Sequence, residues 1–271
     1  MQLEHHIFST RHAFAISAYG ESPHLPMCLN SICNQANGNS DILLTTSTPS
    51  LYLERIAAHY DVPLIVNPVS AGIAADWNFA LMASNAMFIT VAHQDDWYAP
   101  DYSVVMLEAL NLHPDALIAF CNNTEHTPAG TRDVNLNLRI KRLLSKRAFG
   151  KNEAIADLDK KRQLLTLGNP VCCPSVIFNR RLVPDFRFAN DMKSNLDWDA
   201  WARLAVLPGE FVYIRTPLVS KGVHGESETS ALIANEVREK EDRQMFDRFW
   251  PRPMAAAISM VYKWGYRSNR L

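Results

Sequence analysis

The sequence predicts an α/β protein: a mostly parallel sheet with helices on both faces, followed by a smaller region and C-terminal helices. Three observations predict it. The first 100 residues alternate apolar runs with segments of helical period. The apolar runs are continuous, as in strands buried on both faces, and do not alternate apolar with polar. Each run ends in a polar or glycine-containing turn, so the turns gather at one edge of the sheet. In such sheets ligands bind beyond the carboxyl ends of the strands.

The elements follow in order. Ala13 to Ser17 is a buried first strand, ended by the turn Tyr19-Gly20-Glu21-Ser22-Pro23. Leu25 to Gln35 carries Leu25, Cys28, Leu29 and Ile32 at helical spacing. Asp41 to Thr45 is a second strand. Thr46-Ser47-Thr48-Pro49 is a turn able to cap a helix over Ser50 to His59. Val62 to Val66 is a third strand, broken by Asn67-Pro68 and Ala71-Gly72, and a helix follows from Ile73 to Ser84. Met87 to Ala92 is a fourth strand, running into His93-Gln94-Asp95-Asp96. The turns at Tyr19 and Ser47 and the Asp95-Asp96 pair are expected along one edge.

Tyr102 to Leu112 reads as a helix and Ala116 to Cys121 as a fifth strand. Thr127 to Asp133 reads as a loop. Leu138 to Ala148 and Ala154 to Thr166 read as helices, Val171 to Phe178 as a strand, Leu196 to Ala205 as a helix and Phe211 to Ile214 as a strand. His224 to Ser230 is a polar loop, and a charged helix over Ala234 to Phe249 precedes Trp250-Pro251. With no repeat or linker, one domain over residues 1–271 is the simplest organisation, with halves at about 12–125 and 126–230 and a tail at about 231–271.

Bulk properties exclude several classes. A chain of 271 residues buries a core without staples. Its net charge of −1 argues against a nucleic-acid partner. Five cysteines without metal spacing fit buried thiols in a reducing compartment. No segment reaches the roughly 18 to 20 apolar residues that span a bilayer, and a soluble, cytoplasmic protein is expected. The tail from Met254 to Leu271, with Trp264, Tyr266, Lys263, Arg267 and Arg270, either docks on the core or rests on an anionic membrane surface.

Several residues carry chemistry. Asp95-Asp96 ends a buried strand, where two ionised carboxylates call for a cation such as Mg²⁺ or Mn²⁺; the plain alternative is a loop start and helix cap. Asp197 and Asp199 flank Trp198 at a helix start, serving either the helix dipole or general-base catalysis. Trp198 and Trp201 offer flat faces to a sugar ring or belong to the core. His224 is a surface histidine or a ligand of metal or phosphate, and Ser227, Thr229 and Ser230 donate to phosphate or cap a helix. Arg139, Lys141, Arg142, Lys146 and Arg147 form a solvated face or meet an anionic substrate.

Four segments in order, AISAYGESPHLPMCLNSICNQ, AGIAADWNFALMASNAMFITVAHQDDWYAPDY, LDWDAWARLA and VHGESETS, resemble the inverting family-two glycosyltransferases of the GT-A fold, in a bacterial subgroup. The resemblance runs from about Phe14 to Trp250. It implies a donor half that places Ala18, Tyr19, Glu21, Ser47, Asp76, Asn78 and Asp95 at the nucleotide sugar, a UDP-sugar first. It implies Asp95, Asp96 and His224 as metal ligands for Mn²⁺ or Mg²⁺, Asp197 as base, and Trp198 and Asp199 at a glycan or lipid-linked acceptor. Three positions depart from the family. Thr46-Ser47-Thr48-Pro49 replaces an acidic, glycine-containing turn, His93 stands where many members have a carboxylate, and Leu196 replaces the acidic neighbour of Asp197. The implied reaction is an in-line displacement with inversion. A nucleotidyltransferase would want a Gly-rich phosphate loop, where only Gly20 is present. A non-catalytic sugar-nucleotide or glycan-binding module is the other alternative.

Overall fold

The apolar runs form the middle of a ten-stranded sheet. The computed structural model describes residues 10–36, 38–224 and 237–264, with Trp264 by its backbone alone. β1 (Thr10–Ala18), β2 (Ser40–Thr46), β3 (Leu64–Val66) and β4 (Ala86–His93) are parallel, in the spatial order β3-β2-β1-β4. β9 (Ile177–Asn179) lies antiparallel between β4 and β6 (Ala116–Thr127). β10 (Glu210–Gly222) runs parallel to β6, and β5 (Trp97–Tyr98) pairs antiparallel with it.

Both faces of β1 are buried, as a continuous apolar run requires. Phe14, Ile16 and Ala18 pack with residues of α1 (Leu25–Cys33), α2 (Leu51–Tyr60) and α4 (Tyr102–Leu112). Ala13 and Ala15 face the opposite cluster, built with α3 (Ile73–Met82) and α7 (Leu196–Ala205). Phe14 and Ile16 have no exposed surface, and burying each contributes about 2 kcal/mol. One polar group crosses this core. His12 bridges Ser40 Oγ at 2.7 Å and Thr90 Oγ1 at 3.0 Å, tying β2, β1 and β4. Burial, with Arg11 beside it, lowers its pKa to about 3, so it is neutral.

The second half departs from the sequence reading in four places. Thr127 to Asp133 is not an open loop: β6 turns at Gly130 into β7 (Gly130–Arg132), and the glycine φ of 118° allows the tight reversal. Ala154-Ile155 is a short strand, β8, on β10, and Asp157 then caps α6 (Leu158–Leu165) by accepting the Lys160 N–H at 2.8 Å. Val171 to Phe178 is a strand only from Ile177. Pro174 sets a 3-10 turn over Cys173–Ser175, where the Ser175 hydroxyl donates to the Cys172 carbonyl at 2.7 Å. The strand read as Phe211 to Ile214 is the start of β10, which continues through register shifts around Pro217. That continuation delivers Gly222 to the acid pair.

α5 (Leu136–Phe149) lies between β7 and β8 in the chain. α8 (Val237–Phe249) and α9 (Arg252–Trp264) pack together beside α7. α9 docks through Ala255, Ile258 and Tyr262. Ser227, Thr229, Ser230, residues 234–236, and Tyr266, Arg267 and Arg270 of the tail lie outside the described residues. No helix among the described residues is long and apolar enough to cross a membrane.

Candidate active site

Register alone gathers the three predicted turns. Ala18 pairs with Thr46, and Ser17 pairs with His93, so β1, β2 and β4 end level. Side chains then fasten the turns together. The Tyr19 N–H donates to Gln94 Oε1 and Gln94 Nε2 donates back to the Tyr19 carbonyl, each at 3.1 Å. The Gly20 N–H donates to Thr48 Oγ1 at 2.8 Å. Asp76 on α3 is buried and accepts from Ser47 Oγ at 2.9 Å and Asn67 Nδ2 at 3.0 Å, joining the exits of β2 and β3. Thus Asp76 and Ser47 hold each other. Tyr19 stands 63% exposed over this edge, and Glu21 is exposed beside it. Asn78 faces elsewhere: its amide makes two hydrogen bonds, 2.7 and 2.8 Å, with the backbone of Phe188. It secures the chain leading toward α7.

Beyond β4 the chain turns sharply, and the acid pair divides its work. Asp96 is 1% exposed, and its Oδ1 accepts the Gly222 N–H at 2.8 Å. Its Oδ2 is buried with no hydrogen-bond partner among the described residues. Burial, then the Asp95 charge, pushes the Asp96 carboxyl well above its ordinary range. Asp95 is more open and meets His224 Nε2 at 3.2 Å. Burial pushes its carboxyl up, but the His224 hydrogen bond and the charges of His93, Lys221 and His224 bring it below the ordinary value. His93 Nδ1 lies 3.5 Å from Asp96 Oδ2. Burial brings the His93 pKa down to about 4, against the pull of Asp95, so near pH 7 this is a neutral imidazole, stacked on Trp77 at 4.6 Å.

His93, Asp95 and Asp96 offer ligand atoms all within 4.8 Å of one another. A neutral imidazole, two carboxylates and an orphaned buried carboxylate oxygen make a donor set suited to a divalent cation, which also offsets the carboxylate repulsion. His93 joins the acid pair at the position where many family members have a carboxylate. Its signal was its place three residues before Asp96, at the strand end.

Gly222 is required by this geometry. A β-carbon there would lie 3.2 Å from the Asp95 carbonyl carbon and closer still to its oxygen. Gly222→Ala is therefore expected to cost about 1–3 kcal/mol of stability. By displacing the support of the acid pair it should also weaken any binding of Mn²⁺ to this donor set by at least about tenfold. Thermal melts and titration with Mn²⁺ check both.

Asp197 opens α7. Its Oδ1 accepts the Trp198 N–H at 2.7 Å and its Oδ2 accepts Asn169 Nδ2 at 2.8 Å, and it is only half-buried. Burial raises its pKa, opposed by Arg238, the Trp198 N–H, Lys141 and Lys221. Asp96 and Asp197 both act on the buried thiols of Cys172 and Cys173, and Lys221 acts on Asp95, Asp96 and Asp197 alike. The acid pair and Asp197 thus lie across one region of the molecule.

The neighbours of Asp197 do not share its role. Asp199 is buried, and its oxygens are taken by Arg203 at 2.8 Å and by Arg248. Trp198 has no exposed surface; its indole N–H donates to the Leu165 carbonyl at 3.1 Å and its ring packs on Phe246, Phe249 and Tyr262. Trp201 is equally buried. Neither Trp198 nor Asp199 has surface to offer an acceptor, which corrects the sequence expectation. Asp199 and Arg203 stand four apart on one helix, a spacing that already signalled an ion pair.

Comparison with known proteins identifies the family and the fold. Residues 14–183 match the family described as "Glycosyl transferase family 2". The fold recurs in the crystal structure of S. aureus TarS 1-349 (TM-score 0.63, 13% identity, covering 92% of this chain and 69% of that one). It recurs in the mannosyltransferase PcManGT from Pyrobaculum calidifontis in complex with GDP-Man and Mn²⁺ (TM-score 0.62, 15% identity, 93% and 69%). A third is glucosyl-3-phosphoglycerate synthase from Mycobacterium tuberculosis with Mn²⁺ and UDP-Glc (TM-score 0.54, 12% identity, 86% and 77%). A search of curated proteins by sequence finds no match. The sheet and its helices are a GT-A fold. The chain belongs to glycosyl transferase family 2 and is a glycosyltransferase.

Proposed function

We propose that this enzyme moves a sugar from a nucleoside diphosphate sugar, a UDP-sugar first, to a hydroxyl of a glycan or lipid-linked acceptor, with inversion at the anomeric carbon. The observation that carries the reading is the pairing of two acidic sites. One is the Asp95-Asp96 pair with an orphaned buried oxygen; the other is the half-open, raised carboxyl of Asp197 across from it. Donor binding falls to residues of about 12–125, and acceptor binding to about 126–230. Tyr19 supplies an exposed ring for the base at the level strand ends. Ala18, Glu21, Ser47 and Asp76 shape that edge.

Asp95 and Asp96, with His93 and His224 beside them, would hold Mn²⁺ or Mg²⁺; the cation supplies charge stabilisation to the departing diphosphate. Asp197 takes the proton of the acceptor hydroxyl as its oxygen bonds to the anomeric carbon. The bond from that carbon to the diphosphate oxygen breaks, and the nucleoside diphosphate leaves from the opposite face. Asn169 and the Trp198 N–H fix the Asp197 carboxylate, so the proton acceptor is aimed before substrate arrives. The exposed Met254, Met260 and Val261 of α9, between Arg252 and Lys263, are the surface on which a peripheral membrane contact would rest.

Calorimetric titration with UDP, GDP, dTDP and CDP, each with and without Mn²⁺, tests the donor site. One nucleotide is expected to bind only with metal, and Asp95→Asn and Asp96→Asn are each expected to weaken it by more than about thirtyfold. A folded protein that binds none of the four overturns the donor reading.

A further inference from the structure

Helix α5 holds five basic residues and no acidic one. They do not share a face. Arg139, Lys146 and Arg147 are exposed. Lys141 is different: it follows Leu138 by three positions and precedes Ser145 and Ala148 by four and seven, and all three of those are buried. It therefore stands on the inward side of the helix, and it is half-buried. Burial lowers its ammonium below the ordinary lysine value.

The groups in electrostatic reach of Lys141 are Cys172, Lys221, Asp197 and Glu125. Both carboxylates are engaged elsewhere. Glu125 takes Arg132 at 2.7 Å and Asn135 at 2.6 Å, and Asp197 takes Asn169 and its own helix N–H. No hydrogen bond or ion pair ties the ammonium of Lys141 or of Lys221 to another described residue. Lys221 lies opposite Glu125 across β10 and β6, and Glu125 holds Asn135, the cap of α5, so two like charges sit near each other and near Asp197 with no bonded counter-ion among the described residues. Such an arrangement costs free energy until an anion arrives between them.

We propose that Lys141, with Lys221, binds an anionic group carried by the acceptor, a phosphate or carboxylate close to the hydroxyl that attacks. This rests on reading the Asp197 side as the acceptor side. It narrows the acceptor from any hydroxyl compound to an anionic one. The donor diphosphate is the other source of the same chemistry. Lys221 acts on Asp95 and Asp96 as well as on Asp197, so it borders both substrates, whereas Lys141 acts on Asp197 and Cys172. Lys141 is the residue that separates the two sources.

The test uses the full chain with Mg²⁺ and the nucleoside diphosphate that binds it, titrated with glycerol 3-phosphate and, as the uncharged control, glycerol. Glycerol 3-phosphate is expected to bind and glycerol not. Lys141→Met should weaken glycerol 3-phosphate at least about tenfold, the size of a lost bond to a charged group. Nucleotide affinity should stay within about twofold, and Lys141→Arg should recover most of the loss. Equal binding of glycerol overturns the proposal. So does a Lys141→Met protein that loses nucleotide affinity in step, which assigns the lysine to the donor diphosphate. If Lys141→Met does not fold, Lys221→Met and Lys141→Arg carry the comparison. Failure of the donor reading shows separately, as absent nucleotide binding, and the glycerol 3-phosphate titration is then read on the protein alone.

Discussion

Asp197→Asn should reduce sugar transfer by about 10³-fold while leaving metal-dependent nucleotide affinity within about twofold. The amide preserves volume and keeps one acceptor oxygen, so it retains one of the two hydrogen bonds that Asn169 and the Trp198 N–H donate to the carboxylate. What it loses is the capacity to take a proton. The pH profile supplies an independent readout. Burial holds the Asp197 pKa above that of an ordinary carboxyl, and a base acts only when deprotonated. Transfer by the wild-type protein should therefore fall as pH drops through a value above the ordinary carboxylate range, and Asp197→Asn should lack that limb. Initial rates across pH, with a nucleotide titration on the same variant, measure both. Full turnover in Asp197→Asn removes the base from this position, and a product of retained configuration removes the single displacement.

The sequence shows the first half of the fold better than the second, for physical reasons. β1, β2 and β4 are buried on both faces, so their apolar runs are unbroken and their polar ends mark the strand termini. Register between neighbouring strands then puts the turns together without long-range information. β10 follows no such rule. Arg215, Thr216 and Pro217 interrupt its apolar run, and the strand continues only because β6 pairs with it on both sides of the irregularity. Its far end, Gly222, is what seats Asp96. Trp198 misled because an aromatic residue beside an acid at a helix start reads equally as sugar platform or core, and only packing against α8 and α9 decides. Lys141 looked like its four basic neighbours; helical phase against Leu138 and Ser145 held the distinction in the sequence.

Glu241 was the least legible contributor, since it is one acid in a charged helix. In the structure it is buried, and its carboxylate accepts three backbone N–H groups: Lys193 at 2.7 Å, Ser194 at 2.7 Å and Asn195 at 2.9 Å. These are the residues immediately before α7, so one side chain of α8 fixes the approach to Asp197. Its neighbour Asp242 accepts Asn195 Nδ2 at 2.7 Å, and burial pushes the Asp242 pKa up to about 6. Glu241→Ala strands three inward-facing donors. The expected loss is about 3 kcal/mol, since hydrogen bonds to charged groups are each worth roughly 1.5–3 kcal/mol and water recovers part. For a chain of this size that lowers the melting temperature by roughly 6–10 °C. Transfer should fall about a hundredfold at temperatures where the variant is folded, because a shift of about 1 Å in the base costs that much. Nucleotide affinity should hold, because the acid pair is carried by β4 and β10. Glu241→Gln keeps one acceptor oxygen and should lie between the two. A melting curve paired with separate measurement of turnover and nucleotide binding checks the assignment. Equal loss of both functions would make Glu241 a general support of the fold, whereas selective loss of turnover makes it the residue that holds Asp197 on target.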